Sequence, residues 1–206
     1  MRSSDPLSVQ RGVAHLVSRD AVMASLIQQV GGFTLSLEKD YFKALVRAIL
    51  AQQISTSAAR SITNRLIEAS GGETNLLNGI NSRSVEELRL LGISRPKAAY
   101  LKDLATHVLS GVVQLDRMEE LSNEEVIEEL TSVKGIGKWT AQMFLIFSLG
   151  RLDIFPADDL GVRAAIKNLY KKRSLPKPKQ LQKFEKLWHP YSSIASWYCW
   201  RSFDLK

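Results

Sequence analysis

The sequence predicts an all-α protein of two helical subdomains with a cleft between them. Three observations predict it: apolar residues recur at helical spacing, alternating strand-like runs are scarce, and helix-start signals come at short intervals. In "SLEKDYFKALVRAILAQQ", Phe42, Leu45, Val46, Ile49 and Leu50 fall on one face of a helix. The turn "QQIS" leads into a second helix over about Thr56–Ala69, stopped by Gly71 and Gly72. Ser84 with Glu87, and Ser122 with Glu125, have capping-box spacing. Ser94 caps another helix, with Pro96 tolerated in its first turn. "WTAQMFLIFSL" is apolar nearly all round and predicts a buried helix. "KKRSLPKPKQ" is a basic, proline-punctuated connection, and "FEKLWHPYSSIASWYCWRSF" holds one or two final helices. Residues 1–206 read as one domain, with subdomain A at about 37–111 and subdomain B at about 1–36 plus 112–206. "QQIS" and "PADD" are expected on opposite sides of the cleft.

Composition narrows the function classes. The chain is 45% hydrophobic, enough for a sizeable core, and no apolar run approaches the roughly 20 residues that span a bilayer. The first residues lack the apolar centre of a signal peptide, so a cytoplasmic (nucleoid) location is expected, or a nuclear one if the source has a nucleus. A single cysteine, Cys199, rules out an intrachain disulfide or a four-cysteine cluster, and is expected to be a buried apolar residue. His15, His107 and His189 have no metal-ligand spacing, so no side-chain metal and no required cofactor are expected. The net charge is +7, yet nine basic residues between Arg163 and Lys186 face only Glu185, a local charge of +8. Such a stretch attracts polyanions, because each neutralised phosphate releases counterions.

Two short stretches carry the chemistry. In "SVKGIGKWTAQM", Gly135 and Gly137 permit a tight turn and close approach by another molecule. The helix that follows begins with unpaired N–H groups, and Lys134 and Lys138 add positive charge, so the turn favours an anion. In "IFPADDLGV", Asp158 and Asp159 stand at the mouth of the next helix, where negative charge is electrostatically favoured.

The amphipathic helix of Val126, Ile127 and Leu130, then Val133, "GIG" and "WTAQMF", resembles the helix-hairpin-helix element that binds a DNA backbone without reading sequence. With "DIFPADDLGVRAAI" about twenty residues on, it resembles the helix-hairpin-helix DNA glycosylase superfamily. "ILAQQIS" and "SRPKAAYLKDLA" are similar to the 3-methyladenine DNA glycosylase II branch, and the likeness covers about Leu37 to Trp200. The chain is too short to include the N-terminal β-rich domain of larger relatives, which implies the compact form.

The resemblance implies a hydrolase that flips alkylated purines out of damaged duplex DNA and cuts the N-glycosidic bond, acting as a monomer in base excision repair. Asp159 matches the catalytic acid, leaving Asp158 as helix cap or supporting partner. Trp139, Met143 and Tyr191 match base-pocket positions, and Gln53, with Gln52 beside it, the wedge that fills the vacated stack. Lys134, Gly135, Gly137, Lys138 and Thr140 match backbone-contacting positions. The carbonyls of Thr131, Val133 and Ile136 match a monovalent-cation site (sodium or potassium) used with bound DNA. Trp139 stands where bifunctional relatives carry a lysine nucleophile, so no Schiff base and no lyase activity are expected. Trp188, Trp197 and Trp200 are expected in the core. Two alternatives stay open: a glycosylase for deaminated or mismatched bases, and a DNA-binding protein that has lost catalysis.

Overall fold

The computed structural model describes residues 5–205, and these form helices and turns with no strand. In chain order the α-helices are α1 (Pro6–Arg19), α2 (Ala21–Val30), α3 (Tyr41–Ala51), α4 (Thr56–Ala69), α5 (Leu76–Ser82) and α6 (Val85–Leu90). They continue as α7 (Arg95–Leu109), α8 (Asn123–Thr131), α9 (Lys138–Phe147), α10 (Leu160–Leu169), α11 (Pro178–Trp188) and α12 (Ser192–Arg201). No helix among the described residues is long and apolar enough to cross a membrane.

The chain divides into two compact units, one from Glu38 to Phe144 and one of the residues up to Leu37 together with those from Leu145 on. The predicted boundary near residue 111 is therefore corrected to Phe144, within α9. Tertiary hydrogen bonds explain the shift. Gln114 N–H, just beyond α7, donates to Glu129 Oε1 on α8 (2.6 Å), and Lys134 N–H to Asp103 Oδ2 on α7 (2.8 Å). They hold α8 and its following turn to α7, a long-range preference no local pattern encodes.

In the unit from Glu38 to Phe144, Leu45, Val46, Ile49 and Leu50 of α3 are all buried, the face that the spacing predicts. Leu66 of α4, Leu101 and Leu104 of α7, and Val126 and Leu130 of α8 join the buried set. Both capping boxes form: Ser84 and Ser122 each accept from the N–H three residues on, and Glu87 and Glu125 reach back. Ser94, expected to cap α7, makes no side-chain cap bond. Pro96 sits at the second helical position and removes one of the two N–H groups a capping hydroxyl reaches.

In the other unit, α1 and α2 pack with α10, α11 and α12. Asp20 ties them together. It ends α1 and begins α2, accepting from Val22 and Met23 N–H through Oδ1 (3.0 and 3.1 Å). Its Oδ2 accepts from the Tyr170 hydroxyl (2.5 Å) and Trp188 Nε1 (3.0 Å). Burial, then the bond to Asp20, push the Tyr170 hydroxyl well above the ordinary tyrosine range. Trp188, Trp197 and Cys199 are buried in this core, as expected, and burial raises the Cys199 thiol pKa.

Candidate active site

The residues predicted to contact DNA fall in the unit ending at Phe144, and there the two hairpin glycines prove to have different jobs. Gly135 adopts φ +87°, and a Cβ on it would lie 2.3 Å from Cδ2 of Tyr100. It is required for conformation and packing. Gly137 needs no positive φ, and nothing stands within 4 Å of where its Cβ would be. Its missing side chain keeps open an exposed surface. The turn between them is closed by Ile136 N–H donating to the Val133 carbonyl (3.1 Å), and α9 starts with Ala141 N–H on the Gly137 carbonyl (3.0 Å).

Replacing Gly135 by Ala should cost about 1–3 kcal/mol, from left-handed strain and overpacking against Tyr100. Gly137→Ala should leave urea-induced unfolding unchanged yet weaken duplex binding in fluorescence anisotropy. Equal stability losses in the two variants would refute this division.

Around the turn, Lys134 and Lys138 are exposed. The backbone N–H of Lys134 is occupied by Asp103 Oδ2, however, so only its ammonium remains as a backbone contact. Thr140 is 6% exposed, and its side chain is removed from the set of surface contacts. Both departures follow from the turn's docking on α7 and from the inward face of α9.

The "QQIS" turn separates the two glutamines. Gln52 ends α3 and donates its Nε2 to the Gly135 carbonyl (2.8 Å). Lys97 Nζ reinforces the turn, donating to the Leu50 and Gln52 carbonyls (2.7 and 2.6 Å). Gln52 therefore braces the hairpin, which corrects its assignment to the wedge. Gln53 is exposed at the tip in a left-handed conformation, φ 58°, with Ile54 exposed after it. A non-glycine held there is strained, as residues at functional tips often are. Trp139 is 46% exposed at the start of α9, and Met143 lies one turn further on, half-buried.

The other unit places the acid. Asp159 is the N-cap of α10 and is 8% exposed. Its Oδ1 accepts from Val162 N–H (2.8 Å) and from Trp200 Nε1 (2.9 Å). Two donors on one oxygen hold the carboxylate in a single orientation. Asp158 is exposed and is not the cap expected of it, because Asp159 takes that place itself.

Trp200 packs against the core, as expected, and also holds the acid, a contact that sequence reasoning missed. Its ring packs on Phe147, centroids 5.4 Å apart. Gly161 makes room for it: a Cβ there would lie 3.0 Å from Trp200 Cδ1 and 3.1 Å from Asp159 Oδ1. The legible signal was Gly161 two residues after the acid, a position where any side chain would crowd the carboxylate.

Tyr191, expected in the base pocket, belongs to the core instead. It is 7% exposed, its ring centroid lies 5.3 Å from that of His15, and it fills the space that Gly12 leaves on α1. The turn between α11 and α12 aims it inward, with its N–H on the Trp188 carbonyl (2.7 Å). Among the described residues no group of three or more His, Cys, Asp or Glu could hold a metal ion.

Comparison with known proteins gives the family. The family model described as HhH-GPD superfamily base excision DNA repair protein matches residues 46–190. DNA-3-methyladenine glycosylase 1 of Schizosaccharomyces pombe is 36% identical over 203 residues, covering 96% of this chain and 89% of the relative. Among solved structures, 3-methyladenine DNA glycosylase of the same yeast in complex with abasic DNA aligns with a TM-score of 0.83 and 35% identity, covering 95% of this chain and 97% of that one. DNA-3-methyladenine glycosidase of Bacillus halodurans aligns with a TM-score of 0.84 and 34% identity, covering 98% and 91%. With a family match over more than half its length and a relative above 30% identity across nearly all of it, the chain belongs to the HhH-GPD superfamily of base excision DNA repair proteins.

Proposed function

We propose that this protein excises alkylated purines from duplex DNA by hydrolysing the N-glycosidic bond, without lyase chemistry, wherever the genome resides. The observation that carries the reading is Asp159, held at the start of α10 by Val162 N–H and the Trp200 indole. Relatives named as 3-methyladenine glycosylases support the substrate class.

The chemistry follows from the bond. A target base inside the stack is out of reach, so the nucleotide must be extruded, at a cost of a few kcal/mol. Gln53, exposed at the tip of its turn, is suited to fill the gap. Alkylation at N3 or N7 makes a purine cationic, which weakens the C1′–N bond and favours stacking on an electron-rich ring such as exposed Trp139. As that bond breaks, its electron pair leaves with the base and the sugar becomes oxocarbenium-like. The Asp159 carboxylate stabilises that charge while water adds its oxygen to C1′ and loses a proton. No lysine stands at the Trp139 position, so no amine is there to trap the sugar covalently. The carbonyls of Thr131, Val133 and Ile136 are hard oxygen donors of the kind a sodium or potassium ion takes. An ion held there would supply positive charge that attracts a DNA phosphate.

Base release from duplexes carrying 7-methylguanine, 3-methyladenine, hypoxanthine or uracil tests the reading. Methylated purines should be released fastest, leaving an abasic strand that breaks only on alkali treatment. Release confined to hypoxanthine or uracil would redirect the substrate, and borohydride trapping of a protein–DNA adduct would refute the monofunctional mechanism. Failure to release any base would leave a DNA-binding protein alone.

A further inference from the structure

The basic stretch of the unit from Leu145 on contains a constructed feature that the glycosidic chemistry does not use. Lys172, just beyond α10, and Lys183, on α11, both place their ammonium groups over the ring of buried Phe184, at 5.6 and 5.1 Å from its centroid. Tyr170 meets the same ring edge-on at 4.6 Å and fixes it. Desolvation, then the charge of Lys183 and contact with it, lower the Lys172 pKa, as expected when two cations converge. Among the described residues, none of the nine basic residues from Arg163 to Lys186 forms an ion pair with a carboxylate.

The platform under the pair is ordered. α10 ends in a full Schellman turn, with Lys172 N–H on the Lys167 carbonyl (2.8 Å) and Lys171 N–H on the Asn168 carbonyl (3.2 Å). Lys171 occupies the left-handed position, φ 48°, where glycine is the usual residue. Arg163 Nε donates to the Pro176 carbonyl (2.9 Å), tying the connection back to α10. Two like charges are thus brought together by a rigid turn and one aromatic face, with no acid to neutralise them. An anion set between them relieves their mutual repulsion.

We propose that Lys172 and Lys183 together form a phosphate-binding site for a nucleic-acid backbone, a second contact in addition to the hairpin. The aromatic base of the site holds the ammonium groups by cation–π attraction, and one phosphodiester oxygen set bridges them. A duplex is the occupant that the family supplies, and a strand running past +8 of local charge gains further from the flanking lysines.

The test measures binding of the full chain to an undamaged 30-base-pair duplex by fluorescence anisotropy across a sodium chloride series. Lys172→Gln/Lys183→Gln should lower the slope of log Kd against log salt by about one, the value for one lost phosphate contact. Binding should weaken about tenfold near 100 mM salt. Lys172→Arg/Lys183→Arg should retain the wild-type slope, and Arg11→Gln/Arg19→Gln, with the same loss of charge on α1, should change it less. The melting temperature of the glutamine pair should not fall, because a repulsion has been removed. An unchanged slope would overturn the proposal, as would an arginine pair as weak as the glutamine pair. So would phosphatidylserine vesicles that bind wild type but not the glutamine pair while duplex binding stays constant. No base release is needed for this measurement, so it stands or falls separately from the glycosylase reading.

Discussion

Asp159→Asn is expected to lower the single-turnover rate of methylpurine release by about 10²–10³-fold, with little change in stability. Asparagine is as good an N-cap as aspartate, and its carbonyl oxygen can accept from Val162 N–H and Trp200 Nε1 as Asp159 Oδ1 does. What it lacks is the negative charge that opposes the growing positive charge at C1′. Comparison with Asp159→Ala sharpens the result, because alanine also deletes the cap, at about 1 kcal/mol, and leaves the indole N–H without this acceptor. If asparagine preserved the rate, the carboxylate would be a helix cap and nothing more. The measurement pairs single-turnover kinetics with thermal unfolding on the same preparations.

Asp20→Ala should be the most destabilising single substitution outside the site, by about 3–5 kcal/mol. The side chain starts α2 and accepts from Tyr170 and Trp188, and its removal leaves both donors unpaired in the core. Urea denaturation reads this as a lower midpoint with an unchanged slope. Asp20→Asn keeps one acceptor, enough for the α2 cap, but turns an amide NH2 toward the Trp188 N–H, so it should fall between wild type and alanine. A related pH dependence follows from the raised Tyr170 pKa. The folded state keeps that proton where the unfolded chain, titrating near the ordinary value of about 10, releases it. The contribution is fully present below about pH 10 and is lost as pH rises toward the folded value, so Tyr170→Phe should flatten the decline of stability above that pH.

Much of the fold was legible because its determinants are local. The buried face of α3, the Thr56–Ala69 helix and both capping boxes need only neighbours within four residues. The hairpin and Asp159 were legible for the same reason, since tight turns and helix starts impose residue types at short spacing. α1 and α2 were less visible, although Asp5 before Pro6 and Asp20 before Ala21 are ordinary start signals. The tryptophans show the opposite case. α12 is buried almost all round, so spacing could not tell Trp200 from Trp197.

The sequence by itself determined an all-helical chain, a glycine turn suited to phosphate, an acid at a helix mouth and a concentrated basic stretch. Each is a matter of periodicity, backbone freedom or formal charge, and these act between residues close in the chain. Tertiary structure alone decided that Gln52 braces the hairpin while Gln53 points outward, that Trp200 grips Asp159 across the Gly161 gap, and that Tyr191 fills the space beside Gly12. It also decided that Lys172 meets Lys183 over one ring. Those outcomes depend on which surfaces pack together at long range, and packing selects by shape and unsatisfied hydrogen bonds, neither of which is written in residue spacing.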